Sequence, residues 1–539
     1  MKKNNNLIFL ILFLGFILRI WNINWGLPYL YNTDEYRVVN FTLKMAATKN
    51  LNPGSFVYPT FYLYIMLFIY SLLFGIGKIL GVYKDPLDFG IKFLQDPSLV
   101  YIISRAMSAI FGTFLIWVCY MLGKKMYNEK VGVISGFIIT VLPSFVEYSH
   151  YAKLDMFYTF LVVVFGLFLY LFVKTNNLKY YYLSCIFLGL AISTKYLPAI
   201  FGLMILYVVY YKKLSFKHLI LGFFVIIISF LFGTPYAVID YRNFLKDVLF
   251  GHTIGAGISR RIIDNFILTL KNYTFLGCKL PVIGVLGIIS IFSTIKLGFS
   301  FNEIYLLIPI VLLFLVNTFH YHTQWYFLMS SFPFLFILVA YFIYKNSLKS
   351  KIYKKIFLIL FLVMIVETIF LVISFGIKDT RTQAKEWVET HIPKGSKILI
   401  DMYTYSPQLK MTKYQLEKLY KKAIELNHYK KDYIYYQLLA YREEEITYEI
   451  FQVWRPFYEV STIKHEVEEA QKLQPIVDVS KGVSYVKSLG IQYVIINSYN
   501  YNGYPLEFYK EVEHKGELLC VFRPTNFLQP GPIIKIYKI

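Results

Sequence analysis

Of the chain's 539 residues, 57% are hydrophobic, 19% aromatic and only 16% charged, a balance that excludes an ordinary soluble domain and marks a membrane protein. The formal net charge of +22 does not imply nucleic acid, because Lys and Arg collect in short clusters between apolar runs, as in cytoplasmic loops. Cys119, Cys185, Cys278 and Cys520 show neither CxxC nor Cys/His spacing, which excludes a disulfide framework and a zinc site.

The chain opens on MKKNNNLIFLILFLGFILRIW, a basic start and an apolar stretch with no small-residue cleavage site after it. It reads as an uncleaved signal anchor with Lys2 and Lys3 inside. The polar stretch LYNTDEYRVVN follows, carrying Asp34, Glu35 and Arg37. Apolar runs then recur to residue 377, separated by basic clusters: Lys124 with Lys125, Lys174 with Lys179, Lys212 and Lys213 with Lys217, Lys296, and KNSLKSKIYKK. These clusters share the cytoplasmic side only if an even number of crossings separates each from the next. Three apolar runs lie between Lys3 and Lys124, so one of them does not span. The Tyr-rich run 58–80, opening on VYPTFYLY, is expected to be interfacial or re-entrant on the outer face.

The remaining spans are expected near 7–21, 98–122, 131–147, 156–173, 178–194, 196–211, 218–236, 276–295, 303–319, 325–344 and 356–377, about 11 transmembrane helices. An odd count leaves the C-terminal part outside. The expected domains are therefore a transmembrane domain, 1–377, and an extracytoplasmic α/β domain, 378–539. In the latter, TRTQAKEWVETHI reads as a helix closed by PKG, and SKILID, IQYVIIN and IIKIYKI read as strands.

This topology gathers the unusual polar residues on one face: Asp34, Glu35 and Arg37; Arg105; His150, Lys153 and Asp155; Lys195; and His320, His322 and Gln324. Singly, each has a plain structural use. Arg19, Arg105 and Lys195 can snorkel to headgroups, the histidines can bond at the interface, and Asn32 or Thr33 can cap a helix whose first turn holds Asp34 and Glu35. Together they suit a chemistry. Two carboxylate sites supply a general base for a hydroxyl acceptor and an anchor for a substrate hydroxyl or a divalent metal ion. Cations at the bilayer edge suit a phosphate that is bound and then departs, and an amphiphilic phosphate at that depth is a lipid-linked donor.

The order NTDEYR (32–37), VYPTFYLY (57–64), SRAMSAIFGT (104–113), SHYAKLD (149–155), STKY (193–196) and HTQWYFLMSSFP (322–333) resembles the GT-C fold glycosyltransferases of the protein O-mannosyltransferase and aminoarabinose transferase group. The resemblance covers most of residues 1–377. It implies inverting transfer of a single sugar from a polyprenyl-phosphate donor to a hydroxyl acceptor (protein, lipid or glycan) on the outer face. It further implies Asp34 as general base, Glu35 as its neighbour in the acceptor site, Asp155 as the second-loop acid, and Arg105 and Lys195 as cations near the donor phosphate. His150 replaces an Arg frequent in the family, and Gln324-Trp325 replaces its late Arg-Tyr pair. The WWDYG signature of oligosaccharyltransferases is absent from the tail. The alternative reading is a multi-pass transporter or flippase for a polar or lipid-linked solute, against which stands the lack of an internal repeat, paired broken helices or a mid-membrane ionisable cluster.

Overall fold

The computed structural model describes all residues except 1–4, 33, 251–260, 299, 321–322, 402, 429, 455–472, 474 and 502–504. The expectations placed on Lys2, Lys3, Thr33 and His322 lie outside the described residues. The chain divides into two compact units. The first comprises residues 1–23, 37–71 and 102–372; the second comprises 24–36, 72–101 and 373–539.

The helices in chain order are α1 (Asn5–Ile20), α2 (Glu35–Thr48), α3 (Phe61–Ile79), α4 (Pro86–Gln95), α5 (Ser98–Met126), α6 (Glu129–Val141), α7 (Pro143–Ser149), α8 (Asp155–Thr175) and α9 (Leu178–Ile192). A 3-10 turn, Leu197–Phe201, leads into α10 (Gly202–Tyr211), followed by α11 (Phe216–Gly233), α12 (Tyr236–Ile239), α13 (Tyr241–Phe250) and α14 (Ile262–Lys271). Then come α15 (Pro281–Leu297), α16 (Phe301–Phe319), a 3-10 stretch at Trp325–Ser331, α17 (Phe332–Ser347) and α18 (Lys351–Phe375).

Among the described residues seven helices are long and apolar enough to cross a bilayer, or eight if the bent pair α6–α7 is one span, and four shorter apolar helices accompany them. The chain is a multi-pass membrane protein. The break between α6 and α7, a 60° bend, was not expected from the sequence. Its cause is local. Pro143 has no N–H to give the Ile139 carbonyl, and the bend removes the next two donors. Arg19 replaces them: its Nη2 donates to the Ile139 carbonyl at 2.7 Å and its Nη1 to the Thr140 carbonyl at 3.2 Å, while Thr368 donates to Val141 at 2.6 Å. Arg19 is fully buried, so the snorkelling use considered for it is excluded.

The second unit contains a sheet of seven strands: β1 (Lys397–Ile400), β2 (Lys410–Met411), β3 (Thr447–Val453), β4 (Ile476–Val477), β5 (Tyr493–Asn497), β6 (Glu517–Phe522) and β7 (Ile534–Lys538). Their order is β2-β3-β1-β5-β7-β6, with β4 beside β3; β1, β3 and β5 run parallel and β7 pairs antiparallel with both β5 and β6. Alternation splits the core. Ile398, Ile400 and Ile495 face α19 (Thr380–His391), whereas Leu399, Val494 and Ile496 pack with residues of α22 (Gly482–Ser488) and α23 (Leu506–Lys515). Two further helices, α20 (Lys413–Glu425) and α21 (Lys431–Leu439), pack on each other.

Two early segments belong to this unit. The Leu30 N–H donates to Gln408 Oε1 at 3.3 Å, Gln408 Nε2 donates to the Leu30 carbonyl at 2.7 Å, and the Tyr31 and Thr382 hydroxyls are 2.6 Å apart. Farther along, Gln95 donates to the Ala440 carbonyl at 3.3 Å and Arg442 donates to Gln95 Oε1 at 2.6 Å. Residues 30–31 and 95 therefore pack with the sheet-bearing part of the second unit. α3, 19 residues long and apolar, is one continuous helix.

Replacing Arg19 with Met strands two buried carbonyls at the helix break. The expected cost is about 2–4 kcal/mol, read as a lower thermal midpoint of the detergent-solubilised chain, with Arg19→Lys intermediate.

Candidate functional site

In the first unit three charged groups meet with little exposure to solvent. Asp155, the first residue of α8, is 3% exposed. Lys195 Nζ donates to its Oδ1 at 2.9 Å, and Lys153 Nζ lies 3.7 Å from its Oδ2. The hairpin makes the first contact: α8 and α9 fold back about Asn176 and Asn177, and the chain returns to its starting depth at Lys195. Lys153 is placed by the turn before α8, where its carbonyl accepts the Ser108 hydroxyl of α5 at 3.0 Å.

Aromatic rings close around the two ammonium groups. Lys195 Nζ is 4.6 Å from the Tyr158 ring centroid, 5.5 Å from Tyr326 and 5.4 Å from Phe327; Lys153 Nζ is 5.0 Å from Tyr148 and 5.1 Å from Tyr326. Ring faces attract cations where water is excluded. Burial works against the charge on Lys195, but Asp155 outweighs it and its pKa is pushed up. Lys195 stays protonated throughout the physiological range.

Arg105, on α5, is fully buried and donates from Nη1 to the Ile23 carbonyl at 2.9 Å, so it does not snorkel either. His150 is also fully buried, with Nδ1 2.8 Å from the Val146 carbonyl and Nε2 2.9 Å from the Trp21 carbonyl. Burial pushes its pKa down, against its two carbonyl partners, and the charges of Arg105 and Arg19 push the same way. At neutral pH it is uncharged. Both ring nitrogens face main-chain carbonyls, and the side chain braces α7 against the end of α1.

The HTQWYF stretch contributes differently from its expected residues. Gln324 is exposed and caps nothing with its side chain. His320 is half-buried, its ring 5.6 Å from Phe327 and its carbonyl accepting from Asn265 at 2.8 Å. Tyr326 and Phe327, which the sequence reading passed over, are the residues that touch the lysine cage. Their signal was the aromatic run after Gln324, read there as an altered Arg-Tyr pair.

Arg37 belongs to the first unit and is half-buried. Asp34 and Glu35 belong to the second. Asn32 Oδ1 accepts the Asp34 N–H at 3.0 Å in a turn just before α2, and Glu35 is fully buried at the start of that helix. Among the described residues no three His, Cys, Asp or Glu side chains converge on a metal position. Asp155 does not fit a divalent cation, since each of its oxygens faces an ammonium group.

Residues 101–236 match the family model described as dolichyl-phosphate-mannose-protein mannosyltransferase. That stretch contains Arg105, His150, Lys153, Asp155 and Lys195. No curated protein matches the sequence. The crystal structure of ArnT from Cupriavidus metallidurans bound to undecaprenyl phosphate is similar at a TM-score of 0.53 and 13% identity, covering 98% of each chain. The apo form of the same protein matches at a TM-score of 0.50 and 13% identity, over 98% of this chain and 97% of that one. The fold is the GT-C fold with a C-terminal α/β unit.

Asp155→Asn is expected to cost about 3–5 kcal/mol by leaving two buried cations unpaired. Combining it with Lys195→Met should recover part of that loss. Thermal unfolding of the two single variants and the double variant measures the coupling, and strictly additive losses would show that the pair does not act as a unit.

Proposed function

We propose that this chain, which has the fold of the lipid-phosphate-sugar glycosyltransferases, transfers one sugar from a polyprenyl-phosphate donor to a hydroxyl acceptor outside the cytoplasm, with inversion. The observation that carries the reading is the Lys153–Asp155–Lys195 cage inside the stretch that matches the mannosyltransferase family model. The undecaprenyl phosphate bound by ArnT supports a lipid phosphate as donor.

In a single displacement the acceptor oxygen attacks the anomeric carbon as the bond from that carbon to the phosphate oxygen breaks. The acceptor proton goes to a base, and negative charge grows on the departing polyprenyl phosphate. Asp34 is assigned the proton, with Glu35 beside it in the acceptor site. Lys195, Lys153 and Arg105 are assigned the phosphate charge. A phosphate monoester leaves as an anion, so no acid catalyst is required. The cytoplasmic side is assigned to the basic clusters and to the N-terminus, which an odd number of crossings separates from the sheet.

Membranes holding the chain, given a labelled polyprenyl-phosphate sugar, are expected to transfer label to endogenous acceptors. Asp34→Asn should lower the rate by about 10²–10⁴-fold, as for loss of a general base. If Asp34→Asn and Asp155→Asn both keep full transfer, these assignments are wrong. Consumption of no lipid-linked sugar, with movement of a solute across liposomes instead, would favour a transporter.

Sidedness has its own test. In a chain whose partly exposed Cys520 is replaced by Ser, cysteines at Thr33 and Asn177 are expected to label from opposite sides of the membrane. Labelling from one side would overturn the orientation.

A further inference from the structure

At the foot of α5 the second unit holds a cleft of ≈ 250 Å³. Tyr83, Phe89, Phe93 and Leu99 form its apolar wall, and its charged lining is Lys92, Arg442 and Asp96, one net positive charge. The depth of this cleft in a bilayer follows from the length of α5. Its 29 residues make a helix of about 43 Å, against a hydrocarbon core of ~30 Å, and Lys124 and Lys125 occupy its far end. The first turn, with Leu99, thus falls in the headgroup zone.

Neighbouring side chains agree with that depth. Ile79, Leu80, Val82 and Leu87 are 86%, 72%, 48% and 46% exposed, an apolar ridge that water does not tolerate and acyl chains do.

The cations on the rim are suited to an anion. Arg442 bonds to a neutral amide oxygen, Gln95 Oε1, and forms no ion pair among the described residues, so its charge is not balanced there. Lys92 reaches Asp88 at 3.0 Å on the exposed side of α4. Nearby, α21 packs on α4, and its partner α20 carries exposed Lys418, Lys421 and Lys422 against two glutamates, while Glu443, Glu444 and Glu445 follow Arg442.

We propose that this cleft binds one anionic phospholipid of the surrounding leaflet. Its phosphodiester bonds to Arg442 and Lys92, and an acyl chain runs along Leu99 and the aromatic wall. A soluble anion would gain nothing from the wall, and a zwitterionic lipid brings its own cation to the rim. The site is separate from the lysine cage, which lies in the other unit.

The test uses the purified, delipidated full-length chain offered phosphatidylglycerol or phosphatidylcholine, with bound lipid counted by native mass spectrometry. Phosphatidylglycerol should be retained in preference. Retention should fall roughly fivefold for each cation removed in Arg442→Gln and Lys92→Gln, and should survive in the charge-conserving Lys92→Arg, which separates loss of charge from loss of fold. The triple variant Lys418→Gln, Lys421→Gln, Lys422→Gln should keep most of the binding. Equal retention of the two lipids, no change in Arg442→Gln with Lys92→Gln, or loss only in the triple variant would each overturn the assignment.

Discussion

A carboxylate held between two lysines, with little exposure to solvent, is the interaction around which the first unit is organised. Each charge alone would be intolerable at that depth, so all three must arrive together. Asp155 and Lys195 are 40 residues apart in sequence and 2.9 Å apart in space. That separation is the length of one membrane hairpin: α8 descends, turns at two asparagines, and α9 brings the chain back. The third charge comes from the turn that precedes α8, and the rings of Tyr148, Tyr158, Tyr326 and Phe327 come from α7, from α8 itself and from the 3-10 stretch before α17. An aromatic wall is the available compromise, because it excludes water while presenting negative faces to the cations.

The same scarcity of water explains where the other charges went. A bilayer allows irregular backbone only if its N–H and carbonyl groups find partners inside the protein. The break at Pro143 frees carbonyls, and Arg19 and Thr368 meet them. Helix ends pose the same demand: Arg105 answers the Ile23 carbonyl, and the His150 ring lies against those of Trp21 and Val146 and donates to one of them. Buried cations in this unit thus divide into two kinds. Arg19 is committed to main chain, whereas Lys195 and Lys153 balance a carboxylate that a stronger anion could displace.

That division sets the limit of what the amino-acid sequence made legible. The order of motifs was sufficient for the GT-C fold, and the strand-like runs of the tail were sufficient for its sheet. Asp155 and Lys195 stand out singly as polar residues beside apolar runs, but nothing in the sequence pairs them. Arg19 could not be read correctly, since its partners are carbonyls, and carbonyls leave no mark in a sequence. Tyr158 and Tyr326 were hidden among the chain's 49 tyrosines. The joining of residues 24–36 and 72–101 to the tail was equally invisible, because it rests on single contacts such as Leu30 with Gln408, which no periodicity announces.

The charge count in the cage bears on the proposed chemistry. Two lysines and one carboxylate leave one net positive charge, less than a phosphate dianion requires. Asp155 is nonetheless useful, because it keeps Lys195 protonated where burial alone would strip the proton. A donor phosphodiester carries one negative charge, which the resting cage matches. As the anomeric bond breaks, the phosphate gains a second charge, and the lysines, already charged and already positioned, can shift their bonds from the carboxylate toward it. No proton has to move for that compensation to grow, so the stabilisation is greater in the transition state than in the ground state, which is the condition for catalysis rather than binding alone.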